Sequence, residues 1–234
     1  GGVYKVEVNG VLDREAAIVT NEHIVIPESL LKEGFNQVYI EFNAGTNPLN
    51  VNEEYLYTLL VPDRARELFP CFDQPDMKAS YNLILVLDAQ WEAVSNSPVV
   101  KTEVLDGGYK RVSFAATEPL STYLFAFAAG NFSKSLHSDG EREITILHRE
   151  TSEENLSQMG EIADQVFSAL SWLEEYTAIE YPFAKYDLVI IPGFQFGGME
   201  HTGATFYNAS LMFLPQNYTL AQKLRRDLLI AHET

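Results

Sequence analysis

At 234 residues, with 46% hydrophobic and 21% charged side chains, the chain has the make-up of an ordinary globular protein and room for one large or two modest domains. Sixteen basic against thirty-three acidic residues give a net charge of −17, a field that excludes nucleic acid and anionic membrane as partners. No apolar run approaches a membrane span, and the single Cys71, flanked by Pro70 and Phe72, excludes an internal disulfide and reads as a structural thiol. The sequence opens at Gly1 without a Met and stops at Thr234, so both ends are expected to be cut points within a longer chain.

The first half reads as β-structure. Tyr4, Val6 and Val8 alternate with Lys5 and Glu7, and Val38, Ile40 and Phe42 alternate with Tyr39 and Glu41. Asn9-Gly10 and Asp106-Gly107-Gly108 are hairpin-type turns, and further strand runs cover 81–87, 99–105, 109–116 and 122–129. So many short strands with polar turns predict a sandwich or saddle-like sheet domain over residues 1–138. The polar, turn-rich stretch 135–140 marks the boundary, and 139–234 is read as a second domain of α+β character. There, 144–147 reads as a strand. A helix follows, with Thr151 and Glu154 as a capping box and a core stripe of Leu156, Met159, Ile162, Ala163, Val166, Phe167, Leu170 and Leu173. Tyr181-Pro182 lies beyond its end.

The chemistry-bearing stretch follows the strand-like run 186–191, which Pro192 and Gly193 break. It reads Phe194-Gln-Phe-Gly-Gly-Met-Glu-His201. Gly197 and Gly198 lack a Cβ, so another backbone or a ligand can come close, and Glu200 is placed to receive a cation such as a peptide's N-terminal ammonium. A glycine turn carrying two solvated polar residues would have the same sequence. A last helix is predicted from Thr219, with Gln222 completing a capping box. Leu220, Leu224, Leu228 and His232 repeat every four residues, which places His232 on the expected inward face, directly before Glu233. An imidazole followed by a carboxylate on a helix is the first half of His-Glu-x-x-His, which sets two histidines on a zinc ion with the glutamate beside them as base.

Three stretches together resemble the aminopeptidase N family of zinc peptidases, a group that includes leukotriene hydrolase. Gly-Gly-Met-Glu-His at 197–201 is similar to the family's Gly-x-Met-Glu-Asn exopeptidase motif, and His232-Glu233 to the start of its His-Glu-x-x-His. The run 62–79 (Pro-Asp-Arg-Ala-Arg-Glu-Leu-Phe-Pro-Cys-Phe-Asp-Gln-Pro-Asp-Met-Lys-Ala) matches the family's Pro-x-x-Ala-Arg-x-x-Phe-Pro-Cys-Phe-Asp-Glu/Gln-Pro-x-x-Lys-Ala. The resemblance implies a mainly β N-terminal domain, lacking its opening strands, and then the first part of a thermolysin-like catalytic domain. It implies a zinc-dependent aminopeptidase acting on peptides with a free N-terminus. His232 would be a metal ligand, Glu233 the base, and Gly197, Gly198, Met199, Glu200 and His201 the substrate-binding residues.

The sequence departs from the family at His201, where Asn is usual, and at Leu59, where many members place Gln or Glu beside the substrate's amine. By the same resemblance, the second histidine would fall two residues past Thr234, with a glutamate ligand and a tyrosine further on, so the 234-residue chain is expected to be inactive by itself. Two rivals share these residues: a non-catalytic relative that keeps the fold as a peptide-binding scaffold, and a β-rich interaction module whose His-Glu is coincidental. Arg66 and Asp73 are expected to form a structural pair or turn scaffold, and His23, His137 and His148 are assigned no role.

Overall fold

The computed structural model describes residues 2–12, 18–21 and 23–234. In chain order, the β-rich half holds β1 (Val3–Val8), β2 (Val11–Leu12), β3 (Ile18–Thr20), β4 (His23–Val25), β5 (Val38–Phe42), β6 (Leu49–Val51), β7 (Tyr55–Thr58), a short α1 (Ala65–Leu68), β8 (Ile84–Asp88), β9 (Glu92–Ser95), β10 (Val99–Val104), β11 (Tyr109–Phe114) and β12 (Phe127–Gly130). The second half holds β13 (Ser133–Ser138), β14 (Glu143–His148), α2 (Glu153–Leu156), α3 (Met159–Thr177), β15 (Asp187–Ile191), β16 (Gly198–Met199), β17 (Ala204–Asn208), α4 (Ala209–Met212) and α5 (Leu220–Glu233). A mainly β region thus gives way to sheet and helix, as expected. No helix among the described residues is long and apolar enough to cross a membrane.

The β-rich half is a set of small antiparallel sheets. Asn9-Gly10 closes the β1–β2 hairpin with Val8 opposite Val11, and β5 pairs along the other edge of β1. The β10-β11-β8 sheet lays Leu87, Val112 and Phe114 against Ala129, Leu56 and Ala93 of the β6-β7-β12-β9 sheet, a sandwich core. The strand expected over 122–129 starts late, at Phe127. The hydroxyl of Thr122 donates to Asp73 Oδ1 at 2.6 Å and that of Ser121 to Pro75 O at 2.6 Å, pinning the stretch ahead of it as a 3-10 turn. Asp73 Oδ2 also accepts from the Arg66 backbone at 3.0 Å, so Asp73 is the turn scaffold, while the Arg66 guanidinium pairs with Asp63 at 2.7 Å instead. Cys71 is half-buried, and burial pushes its thiol up to about 11, as befits a structural thiol.

The five-stranded sheet runs β13-β14-β15-β17-β16. β14, β15 and β17 are parallel neighbours, and parallel strands require both faces covered. One face (Ile144, Ile146, Leu188, Ile190) packs on Ile162, Val166, Phe167 and Leu170 of α3, the right residues of the predicted stripe. The other face (Leu147, Val189, Ile191, Phe206) packs on Tyr57, Leu59, Val94, Ala126 and Ala128 of the β-rich half. Each fully buried aliphatic side chain in such a core contributes about 1.5–3 kcal/mol over an exposed one. The boundary read at residue 138 falls at the far end of β13, and pairing passes from one sheet system to the other at Asn131–Phe132.

Two helix readings are corrected. The predicted helix from Thr151 is split, and its capping box does not form. Glu150 takes that place: its Oε1 accepts from the backbones of Thr151 and Ser152, each at 2.8 Å, and its Oε2 from Asn155 at 2.7 Å. These bonds hold the Glu150 carboxyl below the usual carboxylate range. On α5 the Thr219–Gln222 capping box is present, but the expected inward face is the outward one: Leu220 is 72% exposed and Leu228 70%. The buried residues are Arg226, Ile230 and Glu233. Four-residue spacing says which side chains share a face, not which face packs. The rotation is set by Arg226, whose guanidinium reaches Glu161 at 2.9 Å, Gln158 Oε1 at 3.1 Å and the Met212 carbonyl at 3.3 Å.

Candidate active site

The strand β15 ends at Ile191, and the chain then loops across the sheet end to return as β16, the free edge beyond β17. Gly198 lies opposite Tyr207 and Met199 opposite Phe206; Asn208 N donates to Gly197 O at 2.9 Å. Past β16 a tight turn, in which His201 N donates to Met199 O at 2.9 Å, then sorts the motif. Met199 is 5% exposed within the core that holds Phe206 and Leu59, so its backbone alone is presented to a ligand. Glu200 is exposed. His201 turns back inside, 0% exposed, its ring 4.6 Å from that of Phe206 and both ring nitrogens without a partner. Burial drives its pKa down to about 3, so the imidazole is neutral at any ordinary pH.

The last turn of α5 crosses directly over this edge. A Cβ on Gly198 would stand 2.5 Å from Glu233 Cγ and 2.7 Å from its Oε1, so the missing side chain is what admits the carboxylate. One residue before, a Cβ on Gly197 would lie 3.1 Å from Leu229. Glu233 is 8% exposed, and its carboxyl is pushed up by burial and then by the charge of Glu200, against a smaller opposing pull from His232. Glu233 thus lies within electrostatic reach of Glu200, although the two are far apart in sequence. His232 itself sits on the exposed side of the helix, not the inward face expected. Beneath the helix end, the Tyr186 hydroxyl reaches the Glu233 carbonyl at 3.4 Å and Thr234 Oγ1 at 3.3 Å.

Among the described residues, no group of three His, Cys, Asp or Glu side chains stands close enough to hold a metal ion. His232 is an exposed imidazole at the helix end, and His201 is enclosed in the core. The donor set present falls short of the four-ligand shell zinc takes. What these residues can do is present a free strand edge, a carboxylate at its end for a cation, and a second, partly desolvated carboxylate across from it to hold a proton.

Arg226, Tyr186 and Asn96 were not singled out from sequence. A buried arginine mid-helix looks like any surface cation, and nothing about Asn96 distinguishes it from a loop asparagine.

The sequence places the chain in one class. Residues 23–124 match the model of the peptidase M1 N-terminal domain, and residues 162–234 match that of the peptidase family M1 domain. The glutamyl aminopeptidase of Rattus norvegicus is 34% identical over 174 residues, 74% of this chain and 18% of the relative. The human glutamyl aminopeptidase is 33% identical over 175 residues, covering 74% and 18%. The human endoplasmic reticulum aminopeptidase 1 is 34% identical over 178 residues, covering 75% and 19%. The chain belongs to the M1 family of peptidases, and it spans about a fifth of the length of the curated relatives it matches.

Proposed function

We propose that this chain is the β-rich domain and the first part of the catalytic domain of a zinc-dependent aminopeptidase, which removes residues from the free N-terminus of peptides. A single observation carries the reading: Glu200 directly follows the open edge strand β16, while Glu233 packs across Gly198 on that strand. A peptide added along that edge would bond to the backbone of 197–201, as strand addition does elsewhere. Its α-ammonium would meet Glu200, which fixes cleavage one residue in. Glu233, partly desolvated, accepts the proton of the attacking water. His232 would be one nitrogen donor to zinc, with the other donors supplied by residues past Thr234. Bound zinc would supply Lewis acidity to the water and to the scissile carbonyl. The 234-residue chain alone is proposed neither to hold zinc tightly nor to turn over peptide; stoichiometric zinc retained through purification would overturn that.

The activity is tested on the chain extended to the length of its relatives, with an aminoacyl arylamide beside its N-acetylated twin. Cleavage of the free-amine substrate only, with Glu200→Ala raising KM by about tenfold or more, is the expected result. Equal cleavage of both substrates would remove Glu200 from the role of amine anchor. No cleavage of either, with zinc bound, would favour the scaffold.

A further inference from the structure

We infer that Asn96, on the β-rich half, is a positioning residue for the segment that carries Glu200; this rests on reading Glu200 as the amine anchor. Asn96 directly follows β9 and is 5% exposed. Its Nδ2 donates to Leu124 O at 2.8 Å and to Thr202 O at 2.9 Å, with Thr202 Oγ1 at 3.3 Å, and its Oδ1 accepts from Ala126 N at 2.8 Å. The amide therefore bridges two of its own domain's backbone groups and the turn two residues beyond Glu200. A buried amide with its donors and acceptor engaged has one orientation available.

The next residue reinforces the clamp. Gly203 has φ +74, and a Cβ there would stand 2.1 Å from the Asn96 carbonyl oxygen. The Gly203 amide donates to the Tyr181 hydroxyl at 3.0 Å, and its carbonyl accepts from Asp187 N at 3.1 Å and Lys185 Nζ at 2.5 Å. The other end of the loop is also tied to the β-rich half: Tyr55 Oη donates to Pro192 O at 2.9 Å and Gln195 Nε2 to Asn50 Oδ1 at 2.8 Å. Between these ties, β16 is held by its two pairs with β17 and by the bonds of Asn208 to Gly197 O at 2.9 Å and to Phe194 O at 2.6 Å. The turn after Glu200 is thus held both by Asp187 of the five-stranded sheet and from the β-rich half, and Asn96 is the buried member of the ties from that half. Asn96 does not touch the substrate; it acts through Thr202.

The test uses Asn96→Ala and Asn96→Asp in the full-length protein, with Asn96→Ser as a milder change should either fail to fold. Asp keeps the acceptor for Ala126 N but turns a carboxylate on two carbonyls. Amide hydrogen exchange over residues 197–203 is expected to speed up by about tenfold or more, with β14 and β15 unchanged. KM for the free-amine arylamide is expected to rise by about tenfold while kcat changes less, and selectivity against the acetylated twin to narrow. Unchanged exchange over 197–203, or a rise shared equally by β14 and β15, would overturn the inference in favour of a general structural role. If the wild-type enzyme cleaves both substrates alike, the amine reading fails while the exchange result still decides whether Asn96 holds the segment.

Discussion

Glu233→Gln, made in the extended chain, is expected to lower kcat by about a hundred- to ten-thousandfold and to leave KM close to the wild-type value. Glutamine has nearly the same shape and fits across Gly198, but it cannot take a proton. The same substitution is expected not to lower the melting temperature at neutral pH. Burial and the charge of Glu200 both oppose ionisation of Glu233, so replacing it with a neutral group removes a strain on the folded state. Activity lost and stability kept is the signature of a functional carboxylate. Steady-state kinetics beside a thermal melt reads both. Near-wild-type kcat would remove Glu233 from the chemistry, and a large fall in melting temperature would make it structural.

His201→Leu should act in the opposite sense, on stability and its pH dependence. The wild-type imidazole is enclosed, its two nitrogens unpartnered, and its pKa is held at about 3 in the fold against about 6.5 in the unfolded chain. Below pH 6.5 the unfolded state therefore binds a proton that the folded state refuses. The stability associated with this residue is whole above pH 6.5 and is lost as the pH falls towards 3. Between pH 7.5 and 5 the loss from this group alone is about 2 kcal/mol. Leucine neither titrates nor leaves buried polar atoms unpaired, so the variant is expected to gain on the wild type as the pH falls, after a small cost for the lost stacking on Phe206. Melting curves of both proteins at pH 7.5 and pH 5 measure the difference, and the other histidines cancel between them. Parallel pH dependences would show that His201 is solvated or partnered.

What the sequence made legible follows a pattern. The alternation of Val6 and Val8, the Asn9-Gly10 turn and the stripe from Met159 to Leu170 are local signals that packing amplified, and they lie where expected, whereas Tyr4 and Leu156 are exposed. Of the motif residues, Glu233 packs across Gly198, and the charge of Glu200 acts on it. The misreadings arose where a polar group, not an apolar pattern, decided the structure. Arg226 turned α5 by burying its guanidinium against Glu161, Gln158 and a carbonyl, which no hydrophobic count anticipates. Glu150 displaced Thr151 as the group that satisfies the first amides before α2. Thr122 and Ser121 traded strand pairing for hydroxyl bonds to the 73–75 turn. His201, expected at the substrate, is carried into the core by the tight turn in which its backbone N donates to Met199 O.

The parallel sheet has a helix on one face only; on the other, the β-rich half supplies the apolar cover. The two halves are therefore not interchangeable modules. A chimaera joined at Asn131–Phe132 from two relatives would have to match Val189, Ile191 and Phe206 to a foreign set of partners for Tyr57, Leu59 and Ala128. Variation within this lineage is accordingly expected to be correlated across that seam, so that the two halves are inherited as one unit.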